Sequence, residues 1–462
     1  MSIAMAGRAL AGRGRDSSGT VTPRLPRVKT LAGVALGLTR ESRLPDRRLV
    51  AGMAAVGLVF LLLPRLEGWT LLHVHKEDGV VFLADFLNEG WSSLIKPYTG
   101  YQHLVPRTIA GVCATGPTSW FAGCVGVSAS LVRVALAVVA LAVVAPYARS
   151  PRWAIAAAAA FIWAPVGQQE ALGNLTNLRW FLDAGAVVLL LGTWRRGSAI
   201  ALISVVAVGA AMTDPLSIVI APLAAWRIVA LRGRERLVPG VFLLASVLHF
   251  LVLQRGARSS DMGTYYEEPA QSTLQVLVRG LTVPLLGQNG SEVLLGLSAV
   301  IAAAAGVIAV AVLLVRVQPT PATALAIVMA VWGGGLLIVT LTFTDMVAIG
   351  LDPAWKLGQG SRYSVPPGVL VAMGVMLVLP FVLDRAAGVW RVLVLGVLLV
   401  FPLAVLADSP GDPANTADPT WSEALDDARE TCSGRATARV QMTPADVPMD
   451  WSVELPCDWL TR

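Results

Sequence analysis

The sequence predicts an all-α integral membrane protein, and three observations predict it. Of its 462 residues, 55% are hydrophobic and only 14% are charged. Soluble domains carry about 25% charged residues, so this much apolar surface does not fit inside one ordinary core. Apolar runs long enough to span a bilayer, which takes about 20 residues, recur from residue 48 to residue 407. The basic residues lie ahead of the first run and in short segments between alternate runs, the positive-inside pattern. The net charge of +6 is therefore spread along one membrane face and forms no stripe for nucleic acid.

Residues 1–47 hold most of about ten Lys and Arg that precede the first span, punctuated by Gly and Pro. They lack an apolar stretch followed by a small-residue cleavage site, so no cleavable signal is expected. They read as a disordered cytoplasmic tail with a short interfacial segment at Leu31–Leu38. Residues 48–407 read as the polytopic domain, with about eleven spans near 48–65, 128–147, 153–168, 179–194, 198–213, 215–231, 237–254, 292–315, 321–343, 364–383 and 389–407. With the N-terminus cytoplasmic, the short inner loops carry Arg149 and Arg152, Arg195 and Arg196, Arg232 to Arg236, Arg316, then Arg385 and Arg391. Of 30 Asp and Glu, five fall on that side: Asp16, Glu41, Asp46, Glu235 and Asp384. The outer side then receives 66–127, 169–178, the turn at Asp214, 255–291, 344–363 and a small tail, 408–462. The expected place is the plasma membrane, multi-pass, N-terminus inside and C-terminus outside. No internal repeat supports an inverted-repeat transporter.

The first outer loop, 66–127, concentrates titratable and aromatic residues between His75 and Arg107. Gly79–Gly90 reads as an amphipathic surface helix. At 100° per residue, Asp78, Phe82, Asp85 and Glu89 share one face, with Val80, Leu83, Ala84 and Leu87 opposite. It is expected to lie with its apolar side on the membrane. Glu77 and Asp78 stand at its start. They either satisfy free N–H groups there or act as an acid pair that takes a proton or binds a divalent cation. Asp85 and Glu89 read as solvated. Pro97 and Gly100 predict a turn that presents Lys96, Tyr98, Tyr101 and His103. The tyrosines either anchor the lipid interface or stack on a sugar, while Lys96, His103 and Arg107 suit a phosphate.

An acidic pair in the first outer loop, then a surface helix, then a long alternation of spans resembles the GT-C class of polyprenyl-phosphate-sugar-dependent glycosyltransferases. Glu77-Asp78 matches the first-loop acidic motif of that class. Gly360-Ser361-Arg362-Tyr363-Ser364-Val365-Pro366-Pro367, entering the tenth span, resembles an Arg-Tyr element of several such enzymes. Glu170-Ala171-Leu172-Gly173-Asn174-Leu175-Thr176-Asn177-Leu178-Arg179-Trp180 resembles the second outer loop of uncharacterised bacterial members.

The resemblance implies catalysis by Glu77 or Asp78, with Arg362, Lys96 and Arg107 on the donor phosphate. Tyr98, Tyr101, His103, Glu170, Asn174, Asn177 and Tyr363 would line the substrate. The implied partners are a polyprenyl-phosphate sugar, membrane lipid, and a glycan, lipid or protein acceptor of the cell envelope. A divalent cation on Glu77 and Asp78 is the one cofactor considered. The competing reading is a transporter or flippase of a lipid-linked sugar, which calls for ionisable residues near mid-span.

Among the remaining polar residues, Arg179 and Asp183 are spaced to pair on one helix, Asp214 to cap another, and Arg133 to snorkel. The loop 255–291 reads as a lid with a surface helix. Cys432 and Cys457 share the tail and are expected to form a disulfide. Cys113 and Cys124 either pair or pack. No phosphate-loop, nucleophile-elbow or HExxH motif occurs.

Overall fold

A computed structural model describes residues 38–62, 71–168, 170–255, 275–293, 320–342, 361–384, 388–408, 419–443 and 451–462. The protein is mostly helical. Among the described residues, four stretches are long and apolar enough to cross a membrane: Thr118–Val144, Gly233–Gln254, Pro321–Thr342 and Arg362–Leu383. Leu104–Ala114, Gly197–Ala211 and Leu216–Ala230 are shorter apolar helices. Most of the expected eighth span, 292–315, lies outside the described residues.

Asp46 opens α1 (Arg47–Leu62) by accepting from Arg48 N at 2.7 Å. The first loop contributes α2 (Ala84–Glu89) and α3 (Leu104–Ala114), and α4 (Phe121–Val144) follows. The expected third span is broken into α5 (Pro151–Ala158), α6 (Ala160–Trp163) and a 3-10 turn, Pro165–Gly167. Arg133 of α4 explains how the break is tolerated. Its guanidinium donates to the carbonyls of Phe161, Ile162 and Gly167 at 2.9–3.0 Å and lies 4.1 Å from the Phe181 ring centre. Arg133 therefore does not snorkel; it is buried and satisfies helix-end acceptors.

The bundle continues with α7 (Leu178–Leu191), α8 (Gly197–Ala211), α9 (Leu216–Ala230) and α10 (Leu237–Arg255). Next are α11 (Val283–Val293), α12 (Pro321–Thr342), α13 (Val365–Leu383) and α14 (Val389–Asp408). α12 and α13 approach closely because Gly333 faces Pro367 and Gly374 faces Ala326, where a side chain would be within 3.0–3.3 Å of its neighbour. Residues 275–291 are not an exposed surface helix. Val278, Arg279 and Val283 are buried, the two valines in the bundle core.

A second core lies at one end of the bundle. Trp421, Leu425, Val440, Leu455 and Trp459 of the C-terminal segment pack against Phe82, Leu83, Ala110 and Phe121 of the first loop. That segment comprises α15 (Trp421–Thr431), antiparallel β1 (Thr437–Gln441) and β2 (Ser452–Pro456), and α16 (Cys457–Leu460). The sheet departs from the all-α expectation, and it forms where Ala438, Val440 and Leu455 turn inward. Two disulfides, Cys113–Cys124 and Cys432–Cys457, staple this unit. The apolar side of the Gly79–Gly90 helix therefore meets protein, not lipid: Gly79 abuts Met442, and Leu83 is fully buried.

Residues 38–46, expected as part of a disordered tail, pack instead across the opposite end of the bundle. Ser42 N donates to Thr193 O at 2.8 Å and Arg43 N to Ala142 O at 3.1 Å.

Candidate functional site

The first loop is pinned to the second by Asp78. Its carboxylate accepts from Leu175 N at 2.7 Å, Thr176 N at 2.9 Å and Thr176 Oγ1 at 2.8 Å, and it is fully buried. Burial pushes its carboxyl above the ordinary range, against the pull of His75 and these donors. Asp78 thus corrects one expectation: it is a staple between loops and presents no oxygen to an acceptor. Asn174 and Asn177 finish the second loop. Asn174 Nδ2 donates to Glu170 O at 2.8 Å, Asn177 Nδ2 to the same carbonyl at 3.0 Å, and Asn177 N to Asn174 Oδ1 at 2.9 Å.

Pinning Asp78 leaves its neighbour aimed elsewhere. Glu77 Oε2 meets His75 Nε2 at 3.0 Å, with 19% of the Glu77 side chain exposed. Burial raises the Glu77 carboxyl, but the bond to His75 and its charge, with Arg362 adding to them, bring it down to about 2. Burial opposes protonation of His75, yet its bond to Glu77 together with the charges of Glu77 and Asp78 outweighs this and holds the imidazole above its ordinary value. Glu77 and Asp78 are engaged by different partners, His75 for the first and the second loop for the other. Among the described residues, no group of three or more His, Cys, Asp or Glu is arranged to hold a metal.

Arg362, on the 3-10 turn Ser361–Ser364, donates through Nη1 to Glu170 Oε1 at 2.5 Å. Its guanidinium lies 5.3 Å from the Tyr363 ring centre, and Tyr363 stands edge-to-face with Trp180 at 5.2 Å. The charges of Glu77 and Glu170 both reach Arg362. Arg279, fully buried, interacts electrostatically with Glu170, Tyr363 and Arg362. First, second and late loops thus share one electrostatic neighbourhood, although about 285 residues separate Glu77 from Arg362.

The aromatic wall comes from the predicted turn. Tyr98 and Tyr101 exchange backbone hydrogen bonds of 2.9 and 3.2 Å around Thr99 (φ 51°) and Gly100 (φ 87°). Two positive φ values in succession are what a type I′ turn requires. Tyr101 stacks on His103 at 4.3 Å, and Arg179 lies 5.5 Å from the Tyr101 ring and 4.4 Å from the Trp180 ring. Burial, then Arg107 and His249, drive His103 down to about 3, so it is a neutral, packed ring.

Lys96 and Arg107 are held within the first loop. Asp85 receives Lys96 at 2.6 Å and Arg107 at 2.8 Å, Glu89 receives Lys96 at 2.5 Å, and Arg107 is 1% exposed. Asp85 is accordingly a bridging partner rather than a solvated residue.

Sequence reading missed three participants: His75, Arg279 and the partner of Arg179. Arg179 Nη1 faces Asp214 Oδ2 at 3.3 Å instead of pairing with Asp183. Asp214 also caps α9 through Leu216 N at 2.9 Å. Asp183 is buried close enough to sense both charges. His75 stands two residues from Glu77, a proximity visible in the sequence; Arg279 had no local signal.

An apolar groove of about 600 Å³ runs between α3, α4, α7, α8 and α10. Leu104, Leu182 and Gly209 line it and lie within a few residues of His103, Asp183 and Asp214. Compared with known proteins, the chain matches no family model, no curated protein and no solved structure.

Proposed function

We propose that the protein transfers a sugar from a polyprenyl-phosphate donor to an acceptor at the membrane face bearing the first loop. The reading rests on one juxtaposition: a partly open carboxylate, Glu77, lies within electrostatic reach of the Arg362–Glu170 pair. The acceptor O–H attacks the anomeric carbon and gives its proton to Glu77. The bond from that carbon to the phosphate oxygen breaks, and the lipid phosphate leaves against Arg362, whose planar donors suit phosphate oxygens. Tyr98, half-buried on the first-loop turn, supplies a sugar-stacking face, while Tyr101, Trp180 and Tyr363 are buried, and the groove takes the isoprenoid tail. The GT-C-like architecture, eleven spans and outward-facing site belong to the same proposal.

Purified protein given a panel of polyprenyl-phosphate sugars should release polyprenyl phosphate. Glu77→Gln should lower turnover roughly 10²–10⁴-fold while retaining donor binding, and Arg362→Ala should weaken donor use. Full transfer by both variants would end this mechanism.

The buried Asp183 and Asp214, with Arg179 facing Asp214, favour a second reading, transport of a lipid-linked sugar, because intramembrane ionisable groups mark pathways. Translocation of a fluorescent lipid-linked sugar in vesicles, without sugar release, would select it.

A further inference from the structure

At the end of the bundle opposite the site, a concave pocket of about 670 Å³ is built from residues 39–45, the α4–α5 turn and Arg195. The strap preceding α1 is fixed there. Arg40 N donates to Tyr147 Oη at 3.2 Å and Arg40 Nη1 to Pro146 O at 2.6 Å, in addition to the backbone ties of Ser42 and Arg43. The backbone is thus held in place before any ligand arrives.

Four arginines line the pocket, Arg40, Arg43, Arg149 and Arg195, against one acid, Glu41. Asp384 engages Arg149, and Glu235 engages Arg195 at 2.8 Å. The Arg43 guanidinium is exposed and has no partner among the described residues. α5 starts at the pocket wall with Pro151 at its first position and no side-chain cap from Ser150. The first-turn N–H groups there add to the positive field. The remaining wall is apolar, from Leu44, Pro45, Pro146 and Pro151. Leu44 is 45% exposed, and the exposed apolar face of α1, Leu49, Val56 and Val59, begins beside it.

We propose that this pocket binds the phosphate of an anionic phospholipid headgroup. Guanidinium groups match phosphate oxygens, and basic pockets at helix ends hold such headgroups. The adjoining apolar wall and α1 face fit a phosphate that carries acyl chains. The net positive lining disfavours headgroups with their own cation.

The test uses the full chain, purified and delipidated in neutral detergent. It is titrated separately with phosphatidylglycerol micelles, phosphatidylcholine micelles and inorganic phosphate, followed by native mass spectrometry and melting temperature. Phosphatidylglycerol should bind as a discrete adduct and raise Tm, and the other two should not at equal concentration. Arg43→Ala should weaken that binding roughly fivefold and Arg43→Glu roughly twenty-five-fold, at one or two charges lost near a surface. Arg234→Ala, exposed but outside the pocket, should bind like the parent. Equal binding of phosphatidylcholine, or undiminished binding by Arg43→Glu, overturns the proposal. An equal effect of inorganic phosphate overturns the lipid as its source.

Discussion

The adjacent acids Glu77 and Asp78 have opposite fates, and the difference is one of partners. Asp78 faces three donors from another loop, whereas Glu77 faces one imidazole and open space. Asp78→Asn turns one acceptor into a donor against N–H groups, so it should cost about 3 kcal/mol of stability. Thermal unfolding should register this, with less loss in Glu77→Gln; equal melting temperatures for Asp78→Asn and the parent would refute it.

The His75–Glu77 pair also predicts a pH dependence. Glu77 is depressed from 4.5 to about 2, so its contribution to stability is present above pH 4.5 and is lost as pH falls through about 2. His75 is raised above 6.5, so its contribution is complete below pH 6.5 and is lost as pH rises through its folded value. A carboxylate paired with imidazolium is a weak base. Under the proposed mechanism, turnover should therefore rise above pH 6.5 while stability falls, and His75→Gln should remove both changes. The dipeptide itself was legible in the sequence, but which acid stayed open was not, because Leu175 and Thr176 lie about 100 residues away.

At the scale of elements, hydropathy located most helices and misjudged the context of several. α4, α12 and α13 are long apolar runs, and each forms a helix of membrane-crossing length. The broken third segment was hidden because Ala-rich sequence hides a break that Arg133 supports from a distant helix. The first-loop helix was legible as amphipathic, yet its apolar side could be covered equally by lipid or protein. The C-terminal segment decides for protein through two tryptophans. Trp421 Nε1 donates to Thr118 O at 2.8 Å and Trp459 Nε1 to Ala114 O at 3.0 Å. The Cys432–Cys457 bridge closes 25 residues and contributes about 3 kcal/mol by chain entropy. The double variant Cys432→Ala/Cys457→Ala should make the segment after Pro419 protease-sensitive before the bundle. Unchanged cleavage kinetics would show that the tryptophan core holds the cap without its staple.

The whole molecule is organised by which end of the bundle each loop reaches. α4 runs from the first-loop core to the turn beneath the strap, and α7 runs from Arg179 to the segment holding Arg195. The strap and the proposed lipid pocket are therefore at one end, with the Glu77–Arg362 cluster and the C-terminal cap at the other. All four cysteines sit at the cap end and both pairs are joined, whereas arginines from the strap and from two inter-helix segments gather at the strap end. Disulfides persist in oxidising compartments and arginines favour the cytoplasmic side, so two independent tendencies orient the bundle alike. We therefore expect a reporter fused after Arg462 to be active outside the membrane and one inserted after Arg196 to be active in the cytoplasm. A membrane-impermeant thiol reagent should label the four cysteines in intact cells only after an impermeant reductant. A cytoplasmic signal from the Arg462 fusion would turn the site inward, and it would exclude transfer to a cell-envelope acceptor even though Glu77 and Arg362 lie within electrostatic reach of each other.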